Sequence, residues 1–107
     1  MIGWMYLLVA IATEVAGTVA LRESDGFTRL RPSLAVVVGY GLSFWFLALT
    51  LRHLELSIAY AVWAGVGTAA IAAIGILFLD EGSDFWKLAS LALIVVGVIG
   101  LNLAEAG

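Results

Sequence analysis

In the stretch AIATEVAGT, Ala10 to Thr18, Glu14 is the single charged residue of an apolar run from Met1 to Leu21. A charged residue at the centre of a membrane-spanning helix costs about 2.5–3.5 kcal/mol on insertion scales. The Leu, Ile and Val neighbours outweigh that cost, so the run still inserts. An acid kept there is either a buried structural carboxyl or a site for a proton, an ion or a substrate. Surroundings of low polarity penalise an ionised carboxylate. One such group can therefore hold a proton or a cation in turn. If the two compete for it, and the protein changes state only when one is bound, the result is exchange.

At about 100° per residue, Leu7, Ala10, Gly17, Thr18 and Leu21 share the helix face of Glu14. Ala10, Gly17 and Thr18 are small, which leaves room beside the carboxylate and permits close helix approach. A structural acid needs a cation or an amide, and no Lys, Arg, His, Asn or Gln occupies the centre of another apolar run. The one amide, Asn102, lies near an edge. The other runs offer rings and hydroxyls instead. VGYGLSFWFLAL places Tyr40, Ser43 and Leu47 on one face, with Phe44 beside them, and AYAVWAGVG places Tyr60, Trp63 and Gly67 on one face. Each ring contributes about 0.5–2 kcal/mol toward a cation, so a carboxylate with phenols and an indole suits a lipophilic cation. The alternative for each aromatic taken singly is packing, and Trp4, Tyr6 and Trp86 read as interfacial belt residues. The glycines of GVGTAAIAAIG, Gly65 to Gly75, serve either packing or a bend. Ser90, Ile94, Gly97 and Leu101 form a stripe without chemistry, which reads as a contact between subunits.

These residues need elements to carry them. The chain has 107 residues, 64% of them hydrophobic and 12% charged, with a mean hydropathy of +1.12. A soluble domain is nearer half apolar and a quarter charged, so a soluble globule is excluded. Four apolar runs are each long enough for a spanning helix of roughly 17–25 residues, the last by recruiting Phe85 and Trp86. The fold class expected is all-α and integral to the membrane. It is one domain of four transmembrane helices at about 2–21, 32–51, 57–79 and 85–104. No alternating pattern suggests a membrane barrel. The first run is not read as a signal peptide, because no Lys or Arg precedes it and Glu14 interrupts it. There is no cysteine, so no disulfide or thiolate metal site is available. No cofactor, metal or nucleic-acid partner is expected.

Gly26 is expected in the first turn, Pro32 in the first turn of the second helix, and Ser57 and either Ser83 or Asp84 as helix caps. Arg22, Arg29, Arg31 and Lys87 fall on one side of the membrane and Arg52 on the other. The positive-inside rule then puts both termini outside, with a small bias. Four helices of this size barely enclose a cavity, so an oligomer is expected on geometry alone.

Taken together, TEVAGT around Glu14, GFTRLRPS at Gly26–Ser33, Ser43-Phe44-Trp45, IAYAVWAGVGT at Ile58–Thr68 and LALIVVGVIGLNL resemble the small multidrug resistance family over nearly the whole chain. The closer likeness is to its quaternary-ammonium exporter branch. The resemblance implies an antiparallel dimer in a prokaryotic cell membrane and proton-coupled export of aromatic or quaternary ammonium cations. A homologous subunit could pair with the chain in place of a second copy. It implies that Glu14 of each subunit forms the shared proton and drug site. Leu7, Ala10, Thr18, Tyr40, Ser43, Tyr60 and Trp63 match family positions at or near that site, Gly65 and Gly67 a flexible segment, and Ile94–Gly97 a dimer contact. Ser90 stands where many members carry glycine. The rival branch, guanidinium exporters, usually has tryptophan in place of Gly17 and lysine in place of Asn102. A third reading is a bundle that assembles with other membrane proteins and transports nothing.

Overall fold

The computed structural model describes residues 2–106, which form four helices: α1 (Ile2–Glu23), α2 (Leu30–Thr50), α3 (Leu56–Phe78) and α4 (Phe85–Ala106). All four are long and apolar enough to cross a membrane. Among the described residues there is no strand. The chain forms two compact units, each a helical hairpin, with the division after Glu55.

In the first unit, α1 packs antiparallel against α2. Lipid is as apolar as leucine, so close packing and hydrogen bonds must hold such a pair together. The sequence allows this through glycine. A Cβ added at Gly39 would stand 2.9 Å from the Thr13 carbonyl oxygen and 3.0 Å from Gly17 Cα, so the two backbones meet there. Toward the start of α1, Gly3 lies under His53 and Leu54. Tyr6 stacks obliquely on Phe46 and His53, with centroids 6.1 and 6.0 Å away.

The loop between α1 and α2 turns on Ser24, which is fully buried. Its hydroxyl donates to the Leu21 carbonyl at 2.7 Å and accepts the Phe27 N–H at 3.1 Å. Its carbonyl accepts the N–H groups of Thr28 and Arg29. These bonds hold three successive left-handed residues, Asp25, Gly26 and Phe27, with φ of 50°, 69° and 68°. Only glycine takes that conformation freely, and other residues pay about 1–2 kcal/mol. Ser24→Ala is therefore expected to destabilise the protein by about 1–3 kcal/mol, read as a lower thermal midpoint in detergent. An unchanged midpoint would show that the loop holds itself without Ser24.

Arg29 caps α2 in an extended conformation with no side-chain capping bond, its guanidinium donating instead to the Glu23 carbonyl at 3.4 Å. The helix starts at Leu30, and Pro32 falls in its first turn, where its missing N–H leaves no gap. In the second unit α3 begins at Leu56, so Ser57 lies inside the helix and is not its cap. Asp84 rather than Ser83 caps α4, its Oδ1 accepting the Lys87 N–H at 2.8 Å. α3 and α4 pack closely at Gly65, where an added Cβ would collide with Val98 and press on Ile94 at 3.3 Å.

Candidate functional site

Glu14 is half-buried near the middle of α1. One helical turn on, the Thr18 hydroxyl donates to Glu14 Oε1 at 3.3 Å. The same hydroxyl lies 2.8 Å from the Tyr40 hydroxyl, and either of the two can donate. The shorter distance is ordinary for O–H···O and the longer one is weak. Thr18 is thus held more firmly by Tyr40 than by the carboxylate.

The α1–α2 crossing brings Tyr40 to this position. Its ring lies against Gly17, where a Cβ would stand 3.0 and 3.1 Å from two ring carbons. The space that Gly17 leaves beside Glu14 is therefore occupied by an aromatic ring. Ala10 and Leu7, on the same face, are fully closed off at 0% and 1% exposure.

Ser43 lies three residues beyond Tyr40 on α2. It is 1% exposed, and its Oγ has no hydrogen-bond partner among the described residues. A buried hydroxyl left unpaired costs about 1–3 kcal/mol. Leu47 is half-buried and Phe44 largely exposed.

Glu14 has no cationic partner among the described residues. The ion pairs there join Arg22 to Glu23 and Lys87 to Glu81, both at or beyond helix ends. Nor do the described residues include a cluster of side chains able to hold a metal ion. What α1 and α2 present is one carboxylate without a counter-ion, joined through one hydroxyl to one phenol. Such a group can accept a proton or pair with a cation.

In the second unit, Tyr60 is largely exposed and its ring lies 6.0 Å from that of Trp63, tilted by 56°. α3 runs unbroken through Gly65 and Gly67, both buried. Of the stripe on α4, Ile94 packs on Gly65 of α3, Leu101 is half-buried, and Ser90 and Gly97 are exposed. Sequence reasoning passed over Gly39 and Ser24. The GYG triplet around Tyr40 was a signal for the first, since a glycine beside the ring lets the backbone of another helix come close.

These features define a class: a small protein of four membrane-spanning helices with an acid inside the first span. The description "Small Multidrug Resistance protein" belongs to the family whose pattern matches residues 2–94. The chain belongs to this small multidrug resistance family. It is a multi-pass protein of the prokaryotic inner membrane and not an enzyme. It is 52% identical to the quaternary ammonium compound-resistance protein QacF of Klebsiella aerogenes, over 94% of this chain and 91% of that one. It is 47% identical to the quaternary ammonium compound-resistance protein QacE of Escherichia coli, over 94% and 92%. It is 46% identical to the multidrug resistance protein Mmr of Mycobacterium tuberculosis H37Rv, over 96% and 97%.

Proposed function

We propose that the chain exports lipophilic, aromatic and quaternary ammonium cations in exchange for protons, with proton and cation competing for Glu14. The observation that carries this reading is Glu14, the carboxylate inside the α1 span, which among the described residues has no cationic partner and accepts a hydrogen bond from Thr18. A carboxylate already paired with a lysine or arginine could not be neutralised by a transported cation. The names of the relatives point to the same substrates, since two are called quaternary ammonium compound-resistance proteins and a third a multidrug resistance protein. Tyr40, Ser43, Phe44 and Leu47 on α2 and the Tyr60–Trp63 pair on α3 are proposed as the surfaces that meet the cation, with Leu7, Ala10, Gly17 and Thr18 forming the wall behind Glu14. The working unit is proposed as an antiparallel dimer, of two copies or of this chain with a homologous subunit. Ser90, Ile94, Gly97 and Leu101 are the proposed contact, and Gly65 and Gly67 the place where α3 flexes.

Gly17 argues for bulky cations over guanidinium. The Tyr40 ring already touches the glycine, so a tryptophan there would have to displace that ring. In acid-loaded proteoliposomes the protein is expected to take up tetraphenylphosphonium well above the level of empty liposomes. It should carry guanidinium poorly under the same gradient. Robust guanidinium flux without binding of tetraphenylphosphonium would replace this reading with that of a guanidinium or polyamine exporter. No coupled flux of either would favour a bundle that transports nothing.

A further inference from the structure

We propose that Thr18 is a positioning residue that passes the protonation state of Glu14 to Tyr40 by reversing the direction of two hydrogen bonds. The proposal rests on the exchange reading above and deepens it. The Thr18 hydroxyl has one proton to donate, and it sits between two oxygens, 3.3 Å from Glu14 Oε1 and 2.8 Å from the Tyr40 hydroxyl. An ionised carboxylate can only accept. With Glu14 ionised, the Thr18 proton points to the carboxylate, so Tyr40 must donate to Thr18. All three groups are then locked in one chain, Tyr40 to Thr18 to Glu14.

A proton arriving from water on Glu14 changes this. The neutral carboxyl now has an O–H to donate to Thr18 Oγ1. The Thr18 proton turns to Tyr40, whose oxygen becomes the acceptor. The Tyr40 O–H is released to seek another acceptor. No proton leaves Glu14 for Tyr40 in this step, and only the two bonds change direction. A bound cation, by contrast, leaves the carboxylate ionised and the chain locked.

The geometry limits the cause to Glu14. The titratable and charged residues of α1 and α2 are Tyr6, Glu14, Arg22, Glu23, Arg31 and Tyr40. Tyr6 stacks on Phe46 and His53, toward the other end of the hairpin. Arg22 pairs with Glu23, and Arg31 is exposed in the first turn of α2. Among the described residues, Glu14 and Tyr40 alone share the Thr18 hydroxyl. The Tyr40 ring is seated on Gly17 and the α1–α2 backbones touch at Gly39, so a change in how Tyr40 is held acts directly on the helix crossing.

The test compares the parent protein with Thr18→Val, which keeps the shape without the hydroxyl, and Thr18→Ser, which restores it. Infrared difference spectra between acid and alkaline samples carrying ring-labelled tyrosine follow the phenol C–O band, assigned to Tyr40 by its loss in Tyr40→Phe. The parent and Thr18→Ser are expected to show a shift of this band on acidification, and Thr18→Val none. Coupled tetraphenylphosphonium uptake is expected to fall about tenfold in Thr18→Val, the scale of one hydrogen bond to a charged group. Thr18→Ser should recover it. Acid should still weaken equilibrium tetraphenylphosphonium binding in Thr18→Val as in the parent, because Glu14 keeps its competition. A Tyr40 band that still shifts in Thr18→Val, or uptake equal to the parent, overturns the role of Thr18 and leaves the exchange reading standing. Binding in the parent that ignores pH overturns both.

Discussion

The Glu14→Gln protein is expected to lose proton-driven uptake of tetraphenylphosphonium while folding normally. Glutamine has nearly the shape of glutamate, and its amide oxygen can still accept the Thr18 hydrogen bond that Oε1 accepts now. The packing of α1 on α2 does not involve the charge. It rests on Gly17 and Gly39, with Gly3 under the loop residues His53 and Leu54. The change therefore removes two abilities only, taking up a proton and neutralising a cation. Removing one partner of a desolvated charge pair costs about 3–5 kcal/mol. At about 1.4 kcal/mol for each factor of ten, affinity for the cation should drop by roughly a hundredfold or more. Coupling should vanish altogether, since an amide has no proton to exchange in this range. Uptake into acid-loaded proteoliposomes and binding at equilibrium both read this, with circular dichroism and gel filtration as checks of the fold. Coupled uptake near the parent level would remove Glu14 from the mechanism.

Gly39→Ala is expected to destabilise the first hairpin, whereas Gly41→Ala leaves it unchanged or firmer. Both glycines lie in α2, two residues apart on either side of Tyr40. An added Cβ at Gly39 meets the Thr13 carbonyl oxygen at 2.9 Å, Gly17 Cα at 3.0 Å and Gly17 N at 3.2 Å. All three are backbone atoms of α1, so no side chain can rotate away, and the helices must part. Overpacking of this kind costs about 1–3 kcal/mol. At Gly41 nothing lies within 4 Å. Alanine there gains helix propensity, worth up to about 1 kcal/mol. The two substitutions are chemically identical and should differ in effect, the first lowering stability and the second not. Thermal unfolding in detergent reads the difference. Equal midpoints would mean that α1 and α2 do not cross at Gly39. Separating the helices would also pull Tyr40 from Gly17 and Thr18, so Gly39→Ala should impair uptake even at temperatures where the protein stays folded.

Much of the molecule could be read from residue order. The number and approximate extent of the helices follow from hydropathy and run length, because the bilayer sets both independently of how the helices pack. Glu14 stands out for the same reason, since an acid inside an apolar run is costly wherever its neighbours lie. The motifs around it were enough for the family. Caps were less legible. Asp84 and Ser83 are equally good candidates by type, and α3 begins one residue before Ser57. Local side-chain bonds decide such ends, and several residues compete for them.

The site divides in the same way. That Glu14, Gly17 and Thr18 share a face follows from the helical repeat alone. That Gly17 holds the Tyr40 ring, that Thr18 links the carboxylate to that phenol, and that Ser43 keeps an unpaired hydroxyl do not follow from it. Nor does the unlike standing of Gly39 and Gly41, or the place of Ser24 at the centre of its loop. Helical periodicity assigns a residue to a face, but it does not say which point of another helix that face meets. The crossing point and rotation of α2 on α1 supply that, and they are set by how closely two backbones can approach. The sequence thus states which chemistry the protein carries, and the packing of α1 against α2 states which groups share it.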